Sequence, residues 1–270
     1  MATYDITGSV KESGEGKPFT DAFYDGNGNP ADGLEAIFPI FDYNEGDAWK
    51  PVGTGFFIAE HGLFATAKHV LVDAVSGAAR EDLLAAHIIR RQQKFSIRRV
   101  INITLHPKAD VAIGFLADED KKHCASAAAN KIFGLSAADP IVGDNIAAMA
   151  FPNATFQGSA DEFMMEFKTL GVSGKIIEIY PHGRDQTLLP SKCFQSDMNI
   201  AGGASGGPVA FGAGHVFGIN STGYDGHPDI NFISSVTDLL DLKTNPISLP
   251  DGTTLSSVAV RELISQPLTY

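Results

Sequence analysis

Short apolar runs cut apart by glycine and proline recur along the chain and leave little room for long helices. "AIFPIF" (36–41), "VGTGFFIA" (52–59), "GLFATA" (62–67), "FSIRRVINITLH" (95–106) and "DVAIGFL" (110–116) form a first cluster. "DNIAAMAFP" (144–152), "KIIEIY" (175–180), "KCFQSDM" (192–198), "PVAFGAGHVFGINSTG" (208–223) and "INFISSV" (230–236) form a second. Runs of this length, rich in aromatic and β-branched residues and bounded by turn residues, read as strands. Residues 53–70 read as a hairpin with Glu60, His61 and Gly62 at its bend. Between the clusters, "ADEDKKHCASAAANKIF" (117–133) has the alanine and charge content of a helix. Two strand clusters about one helical linker imply an all-β chain built as two barrels or sandwiches. "TDLLDLK" (237–243) and "SSVAVRELI" (256–264) are expected to be helical turns on the outside.

Composition bounds the partners. With 270 residues, 44% of them hydrophobic and 19% charged, the chain can bury a substantial core. A formal net charge of −12 argues against nucleic acid or an anionic membrane as partner, since both require clustered Lys and Arg, and favours a cationic substrate. Arg90, Arg91, Arg98 and Arg99 are expected to lie on a solvated strand face. The first residues lack an apolar run behind basic ones, and no run of about 18 apolar residues occurs, so neither a signal peptide nor a membrane span is expected, and a cytoplasmic location is. Cys124 and Cys193 share no metal or redox spacing and are read as packed thiols. "DGNGNPADG" (25–33) alternates oxygen-bearing side chains as a calcium loop does. Pro30 stands where such a loop needs glycine and Ala36 where it needs glutamate, so a plain turn is expected. No metal and no cofactor are expected.

Four glycines surround one hydroxyl in "GGASGGPV" (202–209), which clears space around Ser205 and leaves bare backbone N–H groups beside it. A serine hydroxyl is a poor nucleophile until a base takes its proton, and that base must be held by a third group. His69 in "ATAKHV", at the end of the hairpin, and Asp110 in "HPKADVAIGFL", opening an apolar run, are the candidates on rigid mounts. His61, His87, His106, His123 and His182 share no spacing and are assigned to turns, surface or packing.

"GTGFFI…LFATAKHV", "ADVAIGFL" and "GGASGGPV" resemble the three signature segments of chymotrypsin-like serine proteases. "VGDNIAAMAFP", "TLGVSGKIIEI" and "FQSDMNIAGGASGGPVAFGAGHVFGIN" are similar to further segments of the bacterial Deg-type (high-temperature-requirement) branch, without its PDZ domain. The resemblance spans roughly residues 50–235. It implies two six-stranded antiparallel barrels, over 36–117 and 141–240, with an extension at 1–35, a linker at 118–140 and a tail at 241–270 packed on the barrels. By position it implies Ser205 as nucleophile, His69 as general base, Asp110 as orienting carboxylate, and the N–H groups of Gly203 and Ser205 as oxyanion hole. It places Asn199 at the base of the substrate pocket, Ser221, Thr222 and Gly223 along the substrate backbone, and Asp229 on the last pocket strand. A buried Asp229 carboxylate would select Lys or Arg, with small aliphatic residues the other choice. The resemblance implies a protein or peptide substrate; because an uncleaved protease in the cytoplasm needs restraint, loop ordering or a regulatory protein is expected to control it. Digestive members of the family carry aspartate before the serine to pair with a newly cut N-terminus. Here Ala204 stands there, and activation without cleavage is expected.

Two rival readings are weighed against this one. "GASGG" also fits the elbow of α/β-hydrolases, but Pro208 and the glycines after it make a poor helix start, and His215 and His227 follow the serine too soon. A catalytically silent binding module of the same fold is the other.

Overall fold

The computed structural model describes residues 4–5, 23, 33–42, 49–59, 62–89, 94–117, 130–152, 154–159, 162–166, 169–200, 202–211, 214–224, 227–248 and 254–264. The loop at 25–32, Glu60 and His61, Arg90 and Arg91, and residues 118–129 with His123 and Cys124 lie outside them.

Strand β1 (Tyr4–Asp5) adds to the outer edge of a first barrel made of β2 (Ile37–Asp42), β3 (Lys50–Phe57), β4 (Leu63–Thr66), β5 (Leu83–Ile89), β6 (Lys94–Leu105) and β7 (Ala112–Leu116). Its order is β6-β5-β2-β3-β4-β7, and pairing of β6 with β7 closes the ring. After β8 (Asn145–Ala150) comes a separate hairpin of β9 (Thr155–Ser159) and β10 (Glu162–Glu166). Strands β8, β11 (Leu170–Tyr180), β12 (Cys193–Ser196), β13 (Pro208–Phe211), β14 (Val216–Tyr224) and β15 (His227–Ser235) form a second closed barrel, in the order β11-β12-β15-β14-β13-β8. All pairings within both barrels are antiparallel, and β16 (Ile247–Ser248) with β17 (Thr254–Leu255) makes a last small hairpin. The expected fold of two six-stranded barrels is the one observed.

The alternating runs close because their inward residues are bulky. Phe38, Phe57 and Phe64 are fully buried, with the Phe38 ring 4.9 Å from Phe57 and 5.3 Å, edge-on, from Phe64. Truncating such a ring to alanine costs about 3–5 kcal/mol. The one described non-glycine residue with positive φ, Asn102 at 51°, sits in the register shift between Ile101 and Thr104, where a bulge lets β6 bend around the barrel. Helices are single turns: α1 (Lys68–Leu71), α2 (Thr237–Leu240) and α3 (Val260–Leu263). Leu239, Leu240, Leu242 and Val260 bury into the same apolar cluster as the first barrel, and the Asn245 side chain donates to the Ile103 carbonyl at 3.2 Å. Among the described residues no helix is long and apolar enough to cross a membrane.

Three expectations change. Residues 130–136 contain no helix. The Phe133 N–H donates to the Phe57 carbonyl at 3.1 Å and Leu135 bridges to Val216, so barrel contacts override the local helical preference there. Arg98 is buried, not solvated. Its guanidinium donates to the carbonyls of Leu116 (2.8 Å) and Ala117 (3.2 Å) and to Asn130 (3.2 Å), which satisfies it inside. His87 lies within β5, buried, and not in a turn.

Burial, reinforced by the nearby Arg98 charge, pushes the His87 pKa from 6.5 down to about 4, against the pull of the Glu35 carbonyl. The unfolded chain therefore binds a proton here between those values that the folded chain does not. Stability is complete above pH 6.5 and falls as pH drops toward 4, by up to about 3 kcal/mol. Urea unfolding at a series of pH values is expected to show this slope, and His87→Leu to flatten it.

Candidate active site

His69 sits on α1, directly after β4, where the expectation had it ending the hairpin itself. Val70 and Leu71 of that turn are buried and pin it to the first barrel, while the His69 side chain remains 48% exposed. Asp110 lies two residues before β7, and its side chain is only 12% exposed. The loop before it is braced by His106, whose Nδ1 accepts the N–H groups of Ala109 (2.7 Å) and Lys108 (3.2 Å). Burial lowers the His106 pKa, with Lys68 and Lys108 acting the same way and Asp238 opposing them, which favours the neutral ring this brace requires. That role was not legible beforehand, because it depends on the local turn of the chain rather than on any spacing between histidines.

The Asp110 carboxylate receives the His69 backbone N–H at 3.0 Å and the His69 Nδ1 at 2.9 and 3.0 Å. An ionised carboxylate only accepts, so Nδ1 carries the proton directed at it, and in the neutral ring Nε2 is then the acceptor. The Ser221 hydroxyl donates a third bond to the same carboxylate. Ser221 also receives, at its carbonyl, the Ser205 hydroxyl at 3.0 Å. One residue thus ties Asp110 of the first barrel to Ser205 of the second. The Ser205 hydroxyl is not hydrogen-bonded to His69.

The loop carrying Ser205 is a tight turn. The Gly207 N–H closes it on the Ala204 carbonyl at 3.2 Å, and Gly206 has φ +88°, as the third residue of a type II turn requires. A Cβ at Gly206 would also overlap the Thr54 carbonyl and the Thr66 hydroxyl of the first barrel. The Ser205 carbonyl accepts the Thr54 N–H at 2.8 Å, so the turn is bolted to the opposite barrel. Gly203 has φ +88°. Among the described residues, nothing accepts the N–H groups of Gly203 or Ser205, and both remain available to a ligand.

The other expected site residues are less uniform. Ser221 is buried, on Asp110, and is more than a wall of the groove. Thr222 is half-buried and Gly223 exposed on β14, with Asn199 exposed after β12. Asp229 is exposed on β15 and supplies no buried carboxylate. Among the described residues no group of three or more His, Cys, Asp or Glu could hold a metal ion.

The sequence matches the trypsin-like peptidase domain family over residues 53–219, more than half of the chain. The chain belongs to that family. No curated protein is significantly similar to it. Among solved structures, this trypsin-like peptidase domain is similar to Deg5 (TM-score 0.53, 16% identity, 76% of this chain and 85% of that one). It is also similar to Rv3671c from M. tuberculosis H37Rv in an inactive serine-to-alanine form (TM-score 0.53, 15% identity, 85% and 92%). The HtrA-type protease AlgW with a decapeptide is similar at a TM-score of 0.51 and 18% identity over 76% of this chain, which spans 62% of AlgW. At such identities these likenesses show a shared fold.

A methyl group at position 206 has no room and the wrong backbone conformation. Gly206→Ala is expected to lower unfolding free energy by more than about 2 kcal/mol, read by urea denaturation.

Proposed function

We propose that this chain is a serine endopeptidase that cleaves peptide bonds through an acyl-enzyme, with His69, Asp110 and Ser205 as its reacting unit. The observation that carries this reading is Ser221, which joins the carboxylate holding His69 to the hydroxyl of Ser205. This reading requires rotation about the Ser205 Cα–Cβ bond to take the hydroxyl from the Ser221 carbonyl to His69 Nε2. The oxygen attacks the substrate carbonyl carbon as Nε2 takes its proton, and the carbonyl electrons move onto oxygen, facing the N–H groups of Gly203 and Ser205. Collapse breaks the C–N bond as His69 returns the proton to the departing amine. Water then repeats the sequence on the acyl-enzyme and releases the acid.

Substrate backbone would pair with the exposed edge at Thr222 and Gly223. An exposed Asp229 on β15 and the charge of −12 favour a basic residue before the scissile bond. An exposed carboxylate contributes at most about 1 kcal/mol, so the preference over small aliphatic residues is expected to stay within about fivefold in peptide-library profiling. Control by a regulatory protein is part of this reading.

The bond from Ser205 to Ser221, made in place of one to His69, favours a second reading, a silent binding module. A fluorophosphonate probe separates the two. An active serine is phosphonylated at Ser205, and Ser205→Ala abolishes both labelling and peptide cleavage with the unfolding midpoint retained. His69→Ala should lower the rate by about 10⁴-fold or more. A folded wild-type chain that does not react would support the binding module.

A further inference from the structure

We infer that Asn220 and Asn231 form a buried amide relay that aims the Ser205 N–H into the oxyanion hole, a positioning device that rests on the reading of Ser205 as nucleophile. Asn220, on β14, holds the Ser205 turn at three points. Its N–H donates to the Gly207 carbonyl at 2.9 Å and its carbonyl accepts the Gly206 N–H at 2.7 Å. Any residue could make those two bonds. The third is particular to asparagine: Nδ2 donates to the Ala204 carbonyl at 3.1 Å.

In a trans peptide the C=O and the following N–H point in opposite directions. Fixing the Ala204 carbonyl on one side therefore aims the Ser205 N–H to the other. The Ala204 carbonyl already has a donor in the Gly207 N–H, so the Asn220 amide is not needed to satisfy it. What the amide adds is orientation. Ala204 has no polar side chain to brace this peptide.

An asparagine amide can hold two orientations, and the flipped one would set Oδ1 against the Ala204 carbonyl. Asn231, on β15, removes that choice. Its Nδ2 donates to Asn220 Oδ1 at 2.7 Å. Both side chains are nearly sealed, with 3% and 2% exposure, where an unpaired amide would be costly. The relay runs from Asn231 through Asn220 and Ala204 to the Ser205 N–H. It acts where charge develops in the transition state, so it should govern rate rather than binding.

The test measures fluorophosphonate labelling as a maximal rate and a half-saturating concentration, in wild type, Asn231→Asp and Asn220→Leu. Asn231→Asp keeps the shape but replaces the donor with an acceptor when ionised. We expect the maximal rate to fall about tenfold or more in Asn231→Asp and about 100-fold in Asn220→Leu, with half-saturation within about twofold. Wild-type labelling together with unchanged maximal rates in folded variants overturns the relay while leaving Ser205 as nucleophile. A wild type that does not label overturns the nucleophile and the relay with it. Should a variant fail to fold, asparagine-selective ¹⁵N NMR of the wild type decides. Two side-chain amides protected from solvent exchange, one shifting on phosphonylation, support the relay. Amides that exchange freely overturn it.

Discussion

The hydrogen bond from the Thr54 N–H to the Ser205 carbonyl, at 2.8 Å, is the contact on which the site depends. It crosses from β3 of one barrel to the Ser205 turn of the other. Around it the packing is too close for side chains. Gly206 lies against the Thr54 carbonyl and the Thr66 hydroxyl, and a Cβ at Gly53 would meet Val70 and the Ser205 carbonyl. Thr54 has a further hold on the second barrel through its side-chain oxygen, which accepts the Phe151 N–H at 3.0 Å. Neither barrel alone makes a site. The first supplies the imidazole of His69 with the Asp110 carboxylate, the second the Ser205 hydroxyl on a tight glycine turn, and the seam sets their separation.

Both barrels are mostly apolar inside, with Arg98 and His87 as buried polar groups of the first. The interiors are closed by phenylalanine and aliphatic side chains, where an unpaired amide or carboxylate would be costly. Three buried polar groups near the Ser205 turn have partners on another element: Ser221 on Asp110 across the barrels, Thr66 on Thr54 within the first and Asn231 on Asn220 within the second. Fully paired, such a network holds its members in one arrangement.

Much of this was legible in the chain. Short apolar runs marked strands because side chains alternate across a pleat, and the two clusters became two barrels. "GGASGGPV" reads as clearing space around Ser205; Gly203 and Gly206 do take positive φ, but Gly206 is also packed tightly against the first barrel, which the sequence does not show. What stayed hidden depends on partners remote in sequence. Arg98 looked solvated because the carbonyls that satisfy it, at Leu116 and Ala117, lie on another strand. The segment ending at Phe133 looked helical because local composition cannot register a bond to Phe57. Asp229 was assigned to a pocket by its place on the strand, but the register shift between Gly223 and Tyr224 separates the β14 and β15 partners beside it, and its side chain faces solvent. Asn220 and Asn231 carried no signal as a pair, since cross-strand neighbours are set by bulges that a sequence does not display.

The central claim is that His69 and Ser205, held by different barrels, act on one reacting carbon. A crystal structure of the chain with a peptide boronic acid tests it most directly. The account requires boron bonded to Ser205 Oγ, one boronate oxygen at the N–H groups of Gly203 and Ser205, and His69 Nε2 within about 3.2 Å of the adduct. An imidazole that stays out of hydrogen-bonding range of the bound serine, with Asp110 still on its Nδ1, would contradict it.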